Sequence, residues 1–125
     1  MSLPTLRSHA PAFAVLTPTM LKKSTIDANA SIRAFAKLVG VDYDQIGRGE
    51  KIKIQGEFTD GTPTVISFYR CATRADRRFS VKDIKRRCEA GDTVALTFKV
   101  TPDGDVVWVV NVTQEPQYQH LVEAS

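Results

Sequence analysis

Alternation with a period of two constrains the fold of this chain more than any other feature of its sequence. In EKIKIQGEF (50–58) polar and apolar side chains alternate, a pattern typical of a strand with one buried face. TDGT (59–62) has the residues of a hairpin turn, and TVISFYR (64–70) supplies the returning strand. These segments predict an antiparallel hairpin.

A second hairpin follows nearer the carboxyl end. TVALTFKV (93–100) alternates again, with its apolar positions from Val94 to Val100 predicted to point inward. The turn TPDGD leads into VVWVVNV (106–112), which is apolar on both faces and therefore indicates a central or doubly covered strand. AFAVLTPT (12–19) and RRFS predict two further short strands, the first ending near Pro18.

Helical spacing of apolar residues occurs in ASIRAFAKLVG (30–40). Asn29 or Asp27 is suited to cap the start of this helix, and Gly40 stands where helices usually end. Ser80 predicts the start of a second helix that runs to about Cys88. Asp83 completes its box-like start, and Val81, Ile84 and Cys88 are predicted to face the core.

Short strands joined by hairpins, with two short helices, usually close into a small barrel or a sandwich. We expect one domain over 1–113, beginning with a proline-containing arm at 1–11, and a tail or linker at 114–125. The predicted core residues are Ile32, Phe35, Ile52, Ile54, Phe58, Ile66 or Val65, Val94, Leu96, Phe98, Val106 and Trp108.

Composition argues against several classes of protein. Cys71 and Cys88 are too few for a disulfide scaffold, and without a signal peptide we expect reduced thiols in a prokaryotic cytoplasm. No apolar run reaches the ~20 residues of a membrane span. His9 and His120 lie near opposite ends, so neither a metal cluster nor a base beside a nucleophile is indicated. We expect no metal, no cofactor and no catalytic site.

A restriction-type nuclease site needs Pro-Asp followed by an acid-x-Lys triplet that holds magnesium. Pro102-Asp103 is the candidate start, but it lies in a predicted hairpin turn and no lysine follows it. If this chain is part of a nuclease, we therefore expect the cutting site elsewhere.

Positive charge is concentrated in residues 70–87. Eight basic side chains stand there against Asp76 and Asp83, although the whole chain carries a net charge of only +3. Clustered cations repel one another unless a partner neutralises them. The basic residues are Arg70, Arg74, Arg77, Arg78, Lys82, Lys85, Arg86 and Arg87.

The two halves of this basic stretch differ in how specifically they indicate a function. A solvated helix face explains 82–87 as well as a binding site does. Residues 70–78 hold four arginines and no lysine in a predicted loop and strand start. The planar guanidinium suits phosphates and guanine edges. Asp76 weakens nonspecific attraction, so we expect it to orient the arginines or to accept a hydrogen bond from cytosine N4.

The order of elements and the string TRADRRFSVKDIKRRCEAGDTVALTFKV (73–100) resemble the DNA-binding pseudobarrel of plant B-three transcription factors and of type II restriction endonuclease effector domains. The resemblance implies an open antiparallel barrel whose two arms enter the major groove of double-stranded DNA. RADRRF (74–79) is similar to the second arm of effector domains that recognise CCWGG-type sequences. This likeness implies base-reading roles for Arg74, Asp76, Arg77 and Arg78.

In that family the first arm lies between the first strand and the first helix. The matching segment is TPTMLKKST (17–25), where two lysines replace the family's glycine-rich stretch with a histidine. The resemblance implies DNA contacts from Lys22, Lys23, Ser24 and Thr25. Arg70 and Lys82, which flank the second arm, complete the predicted DNA-binding set.

We therefore expect a non-catalytic domain that recognises double-stranded DNA, attached to a nuclease domain that follows the tail, with no membrane association. Two alternatives stay open: a small barrel that binds single-stranded nucleic acid, and an interaction domain whose basic stretch meets an acidic protein. Single-strand binders usually expose aromatic side chains for base stacking. Trp108 is predicted to pack in the core, and Tyr69 and Phe79 to anchor the second arm.

Overall fold

The computed structural model describes residues 12–113, so the predicted arm at 1–11, the predicted tail at 114–125 and both histidines lie outside the described residues. Seven strands and two helices are present in this range. They are β1 (Ala12–Val15), α1 (Pro18–Lys23), β2 (Ile26–Asp27), α2 (Ala30–Leu38), β3 (Lys51–Phe58), β4 (Pro63–Arg70), β5 (Arg77–Val81), β6 (Thr93–Val100) and β7 (Val106–Thr113).

The seven strands form one sheet in the order β1-β6-β7-β3-β4-β5-β2. The sheet curls until it nearly closes, which leaves one unsealed seam between its end strands, β1 and β2. Neighbouring strands are antiparallel except β3 and β7, which pair in parallel. The predicted fold class, a mostly β, open antiparallel pseudobarrel with two short helices, is confirmed, with this parallel pair as an addition, although one of the two helices, α1, is not one of those predicted.

Close approach of β3 and β7 requires a glycine. Gly56 lies opposite Trp108 in the parallel register, and a Cβ atom at Gly56 would stand 3.0 Å from the Trp108 carbonyl oxygen. Trp108 itself packs edge-on against Phe35 of α2, with ring centroids 5.3 Å apart. The apolar strand β7 is central, as predicted, because β6 and β3 flank it.

The barrel interior holds most of the predicted core. The buried members are Ile32, Phe35, Phe58, Ile66, Val94, Leu96 and Trp108, and Ile54 and Phe98 pack partly against them. The prediction was wrong for Ile52 and Val106, which are 39% and 42% exposed, and for Val100, which is 40% exposed. These residues lie at strand ends, where alternation continues beyond the packed interior.

The amino-terminal strand is shorter than predicted because a helix follows it. β1 ends at Val15, and Thr17 caps α1 by accepting a hydrogen bond from the Met20 amide at 3.1 Å. Pro18 then occupies the first turn, where its missing N–H costs nothing. The α2 prediction is confirmed, with Asn29 as its cap: its Oδ1 accepts from the Ile32 amide at 3.0 Å.

The second predicted helix, from Ser80 to about Cys88, is wrong. β5 continues to Val81, because Ser80 and Val81 pair with β4 and their backbone groups serve the sheet. Asp83 then adopts a left-handed conformation (φ 66°) without a side-chain cap, and only a 3-10 turn, Ile84–Arg86, follows. Val81, Ile84 and Cys88 are nevertheless buried, as predicted.

Candidate nucleic-acid interface

The predicted second arm, RADRRF (74–79), spans the end of the loop 71–76, which joins β4 to β5, and the start of β5. The loop closes on itself: the Cys71 amide donates to the Asp76 carbonyl at 3.0 Å, and the Ala75 amide donates to the Cys71 carbonyl at 2.8 Å. Arg70 also holds this loop, since its guanidinium donates to the carbonyls of Ala75 (3.4 Å) and Ile46 (3.2 Å). The guanidinium of Arg70 therefore fixes the base of the loop.

Arg78 lies between two carboxylates from different parts of the chain. Its Nη2 donates to Asp76 Oδ2 at 3.2 Å, and its Nε stands 3.6 Å from Asp27 Oδ1. Nε is buried and makes no hydrogen bond within the described residues. Because Asp27 belongs to β2, directly after the first arm, Arg78 links the two arms electrostatically.

The start of β5 is also held from inside the barrel. The hydroxyl of Tyr43 donates to the Arg78 carbonyl at 2.8 Å, and burial, helped by the neighbouring Tyr69, raises the pKa of Tyr43 above its usual value. This hydroxyl therefore stays protonated and keeps donating. The Arg78 backbone is thus fixed while its side chain is held by carboxylates.

The other two arm arginines are more available. Arg77 is exposed, and its Nη2 stands 3.4 Å from Oδ1 of Asp44, itself an exposed residue. An exposed pair of this kind is worth little and breaks readily. Arg74 is exposed and has no hydrogen bond or ion pair with any residue in 12–113. These two guanidinium groups can reach a ligand with little competition from the protein.

An open depression of about 620 Å³ collects these charges, and we call it the arm depression. It contains five arginines and two aspartates: Arg33, Arg70, Arg74, Arg77, Arg78, Asp27 and Asp76. Sequence reasoning missed Arg33 and Asp27. Arg33 stands on α2 beside the core residue Ile32 and donates to the Ala28 carbonyl at 2.7 Å, and only the packing of α2 brings it here.

The first arm, residues 17–25, contains the whole of α1 and contacts β4 and the turn after β5. Lys22 and Lys23 are exposed in the last helical turn, where the helix dipole also favours cations, and Ser24 ends the helix in a left-handed conformation. Thr25 Oγ1 and the Tyr69 hydroxyl share a hydrogen bond of 2.7 Å. Lys85 Nζ donates to the Lys22 carbonyl at 3.0 Å. Both contacts hold the arm in place.

Ser24 and Lys82 line a second cleft on the outer face of the sheet, which we call the sheet groove. Arg87, by contrast, belongs to neither surface. Its guanidinium lies 3.9 Å from the centre of the Phe58 ring and pairs with Asp60 at 3.1 Å. Hydrogen bonding from Thr62, with this arginine as a weaker cause, lowers the pKa of Asp60 to about 2. Arg87 therefore anchors the β3–β4 hairpin.

The remaining chemistry-bearing groups are dispersed. Cys71 and Cys88 are free thiols, and burial raises the pKa of Cys88 to about 11. Among residues 12–113 no three metal-ligating side chains cluster together, and no helix in that range is long and apolar enough to cross a membrane. No protein-family model, no curated protein and no solved structure matches this chain.

Proposed function

We propose that this domain recognises double-stranded DNA by placing its two arms in the major groove. The observation that carries the proposal is the arm depression, where five arginines converge, and whose Asp27 and Arg78 also line a cleft with Lys23 and Thr25 of the first arm. A cluster of this kind costs folding energy through like-charge repulsion, and a polyanion removes that cost. Major-groove recognition uses the same arginine chemistry for guanine N7 and O6.

The contacts inside the depression suggest a role for each arm residue. Arg74 and Arg77, which are exposed, donate to guanine edges or to phosphates. Arg78 is half-buried and acts with its orientation fixed, whereas the second oxygen of Asp76, Oδ1, accepts from cytosine N4. Lys22 and Lys23 hold the phosphates on the opposite side of the groove.

The distribution of aromatic side chains favours duplex DNA over a single strand. Phe13, which is 54% exposed, is the aromatic member of the exposed large hydrophobic residues in the described range, and it lies on β1. Phe13 does not line the arm depression, whose described lining contains no aromatic side chain. Tyr69, near the arms, is half-buried, and Lys51 lies 5.3 Å from its ring centre. Neither ring offers a stacking platform beside the arginines.

The resemblance of RADRRF (74–79) to restriction effector domains extends the proposal. On that basis the domain is the non-catalytic recognition part of a restriction endonuclease in a prokaryotic cytoplasm, and a nuclease domain lies outside this chain. The residue pattern also makes a CCWGG-type sequence the first target to test.

Selection from a randomised duplex library, with single-stranded competitor present, tests the proposal. A short enriched motif supports it, and the Arg74→Ala, Arg77→Ala double variant is expected to lose that motif. Tight binding without a motif would reduce the domain to a nonspecific basic clamp. Preference for the competitor, or no binding at all, would contradict the proposal and favour the single-strand or protein-binding alternatives.

A further inference from the structure

The sheet groove lies on the outer face of β3, β4 and β5, beside the first arm. Lys53, Ser67 and Ser80 stand directly opposite one another across these three strands. Facing side chains on adjacent strands have Cβ atoms about 5 Å apart, so the three form a row about 10 Å long. Ser24 lines the same groove, which has a volume of about 610 Å³.

The turn after β5 supplies the cations on the other side of the groove. Lys82, Lys85 and Arg86 line it, and Asp83 is the one acidic residue in the lining. The Lys82 backbone is fixed on both sides: its amide donates to the Val65 carbonyl at 3.0 Å, and its carbonyl accepts from the Thr64 hydroxyl at 2.9 Å. The cations are therefore carried on an ordered turn.

The sheet groove is lined mainly by lysine and serine, whereas the arm depression is lined mainly by arginine. The depression holds five arginines and no lysine, whereas the groove holds three lysines, one arginine and three serines. Arginine forks suit base edges, while lysine acts as a point charge. Lysine ammonium groups and serine hydroxyls are typical donors to phosphate oxygens.

We propose that the sheet groove binds the DNA phosphate backbone, as a contact separate from the base-reading arms. The inference rests on the proposed DNA-binding function and assigns phosphate contacts to the groove and base contacts to the arms. Lys53 and Lys82 are exposed, and their ammonium groups have no hydrogen bond or ion pair with any residue in 12–113, so both are free to meet phosphates. Lys85 already donates to the Lys22 carbonyl, which ties the groove to the first arm.

The test measures how duplex affinity depends on salt, because backbone contacts release counterions. The probe is a short fluorescent duplex of random sequence, titrated at several salt concentrations with the wild type and with Lys53→Ala, Lys82→Ala. The slope of log K against log salt is negative, and each lost phosphate contact reduces its magnitude by about 0.9. We expect the double variant to lose about 1.8 from the slope and the enriched library motif to stay the same.

Lys99→Ala is the matched control, since it removes the same charge from β6, outside the groove. It pairs with Glu57, and we expect it to leave the slope at the wild-type value. An unchanged slope in the Lys53, Lys82 variant, with the library motif still enriched by the wild type, overturns the inference but keeps the proposed function. A lost motif with an unchanged slope also overturns it, since these lysines would then read bases. Failure of the wild type to bind any duplex overturns both.

Discussion

Replacing Asp76 by alanine is expected to move nonspecific and specific DNA affinity in opposite directions. Asp76 lies in a depression with five arginines, and its carboxylate holds Arg78 at 3.2 Å. Its removal takes one negative charge away from the surface that meets phosphates. It also leaves Arg78 with Asp27 alone, at 3.6 Å and 69% exposed, so the arginine side chain loses its fixed direction.

The size of each effect follows from simple electrostatics. Two unit charges about 10 Å apart in water interact by about 0.4 kcal/mol. Relief of repulsion from roughly two phosphates, weakly screened at low salt, raises affinity for random duplex about threefold. Loss of an oriented base contact costs about 1–3 kcal/mol, or roughly 5- to 150-fold at the preferred sequence. Domain stability falls by about 1 kcal/mol, because the pair is half-buried.

Fluorescence anisotropy at low salt with two duplexes, one of random sequence and one carrying the enriched motif, measures both changes. Asp103→Ala removes the same charge from the exposed β6–β7 turn and serves as the control. We expect the ratio of the two affinities to fall at least tenfold for Asp76→Ala and to stay constant for the control. An unchanged ratio would show that Asp76 neither reads a base nor directs an arginine that does.

Three further outcomes are expected. Arg87→Ala should lower the free energy of unfolding in urea by about 1–2 kcal/mol, because its contacts with Phe58 and Asp60 are lost, while duplex affinity changes little. Asp60 has a folded pKa of about 2, below its unfolded value of 3.8. Its contribution to the free energy of unfolding is therefore complete above pH 4 and disappears as pH falls through 2. Unfolding followed across this pH range should show the loss. Alkylation at pH 8 should modify half-exposed Cys71 in the native domain but leave buried Cys88, whose pKa is about 11, for the unfolded chain, and mass spectrometry distinguishes the two sites.

The hairpins could be predicted from sequence because their information is local. Alternation in 50–58 and 93–100, with glycine-containing turns, fixes both the strands and their antiparallel pairing. The parallel pairing of Gly56 with Trp108 joins distant segments and leaves no local pattern. The helix predicted from Ser80 failed for the same reason: Ser80 is a residue type that caps helices, but its backbone pairs with β4 instead.

The residues of the candidate interface also fall into two groups, those that lie together in the sequence and those that only the fold brings together. The arginines of the second arm lie close together in the sequence, so the local concentration of positive charge was enough to predict them as binding residues. Arg33, Asp27 and Asp44 reach the arm from α2, β2 and a 3-10 turn, and only the folded barrel brings them to it. Lys53 was predicted on the polar face of one strand and Ser67 within the returning strand, and only the folded sheet brings both to the groove that Lys82 lines.

The open seam has a consequence for self-association. A fully closed barrel has no free strand edges, whereas this sheet has two, and unpaired edges attract strands of other molecules. Both edge strands are short: β1 has four residues and β2 has two. The Phe13 carbonyl on β1 is already occupied, since it accepts from Asn29 Nδ2 at 2.9 Å and from Ser31 Oγ at 3.4 Å. Asn29, the residue that caps α2, thus also occupies an edge carbonyl that a strand of another molecule would need for pairing.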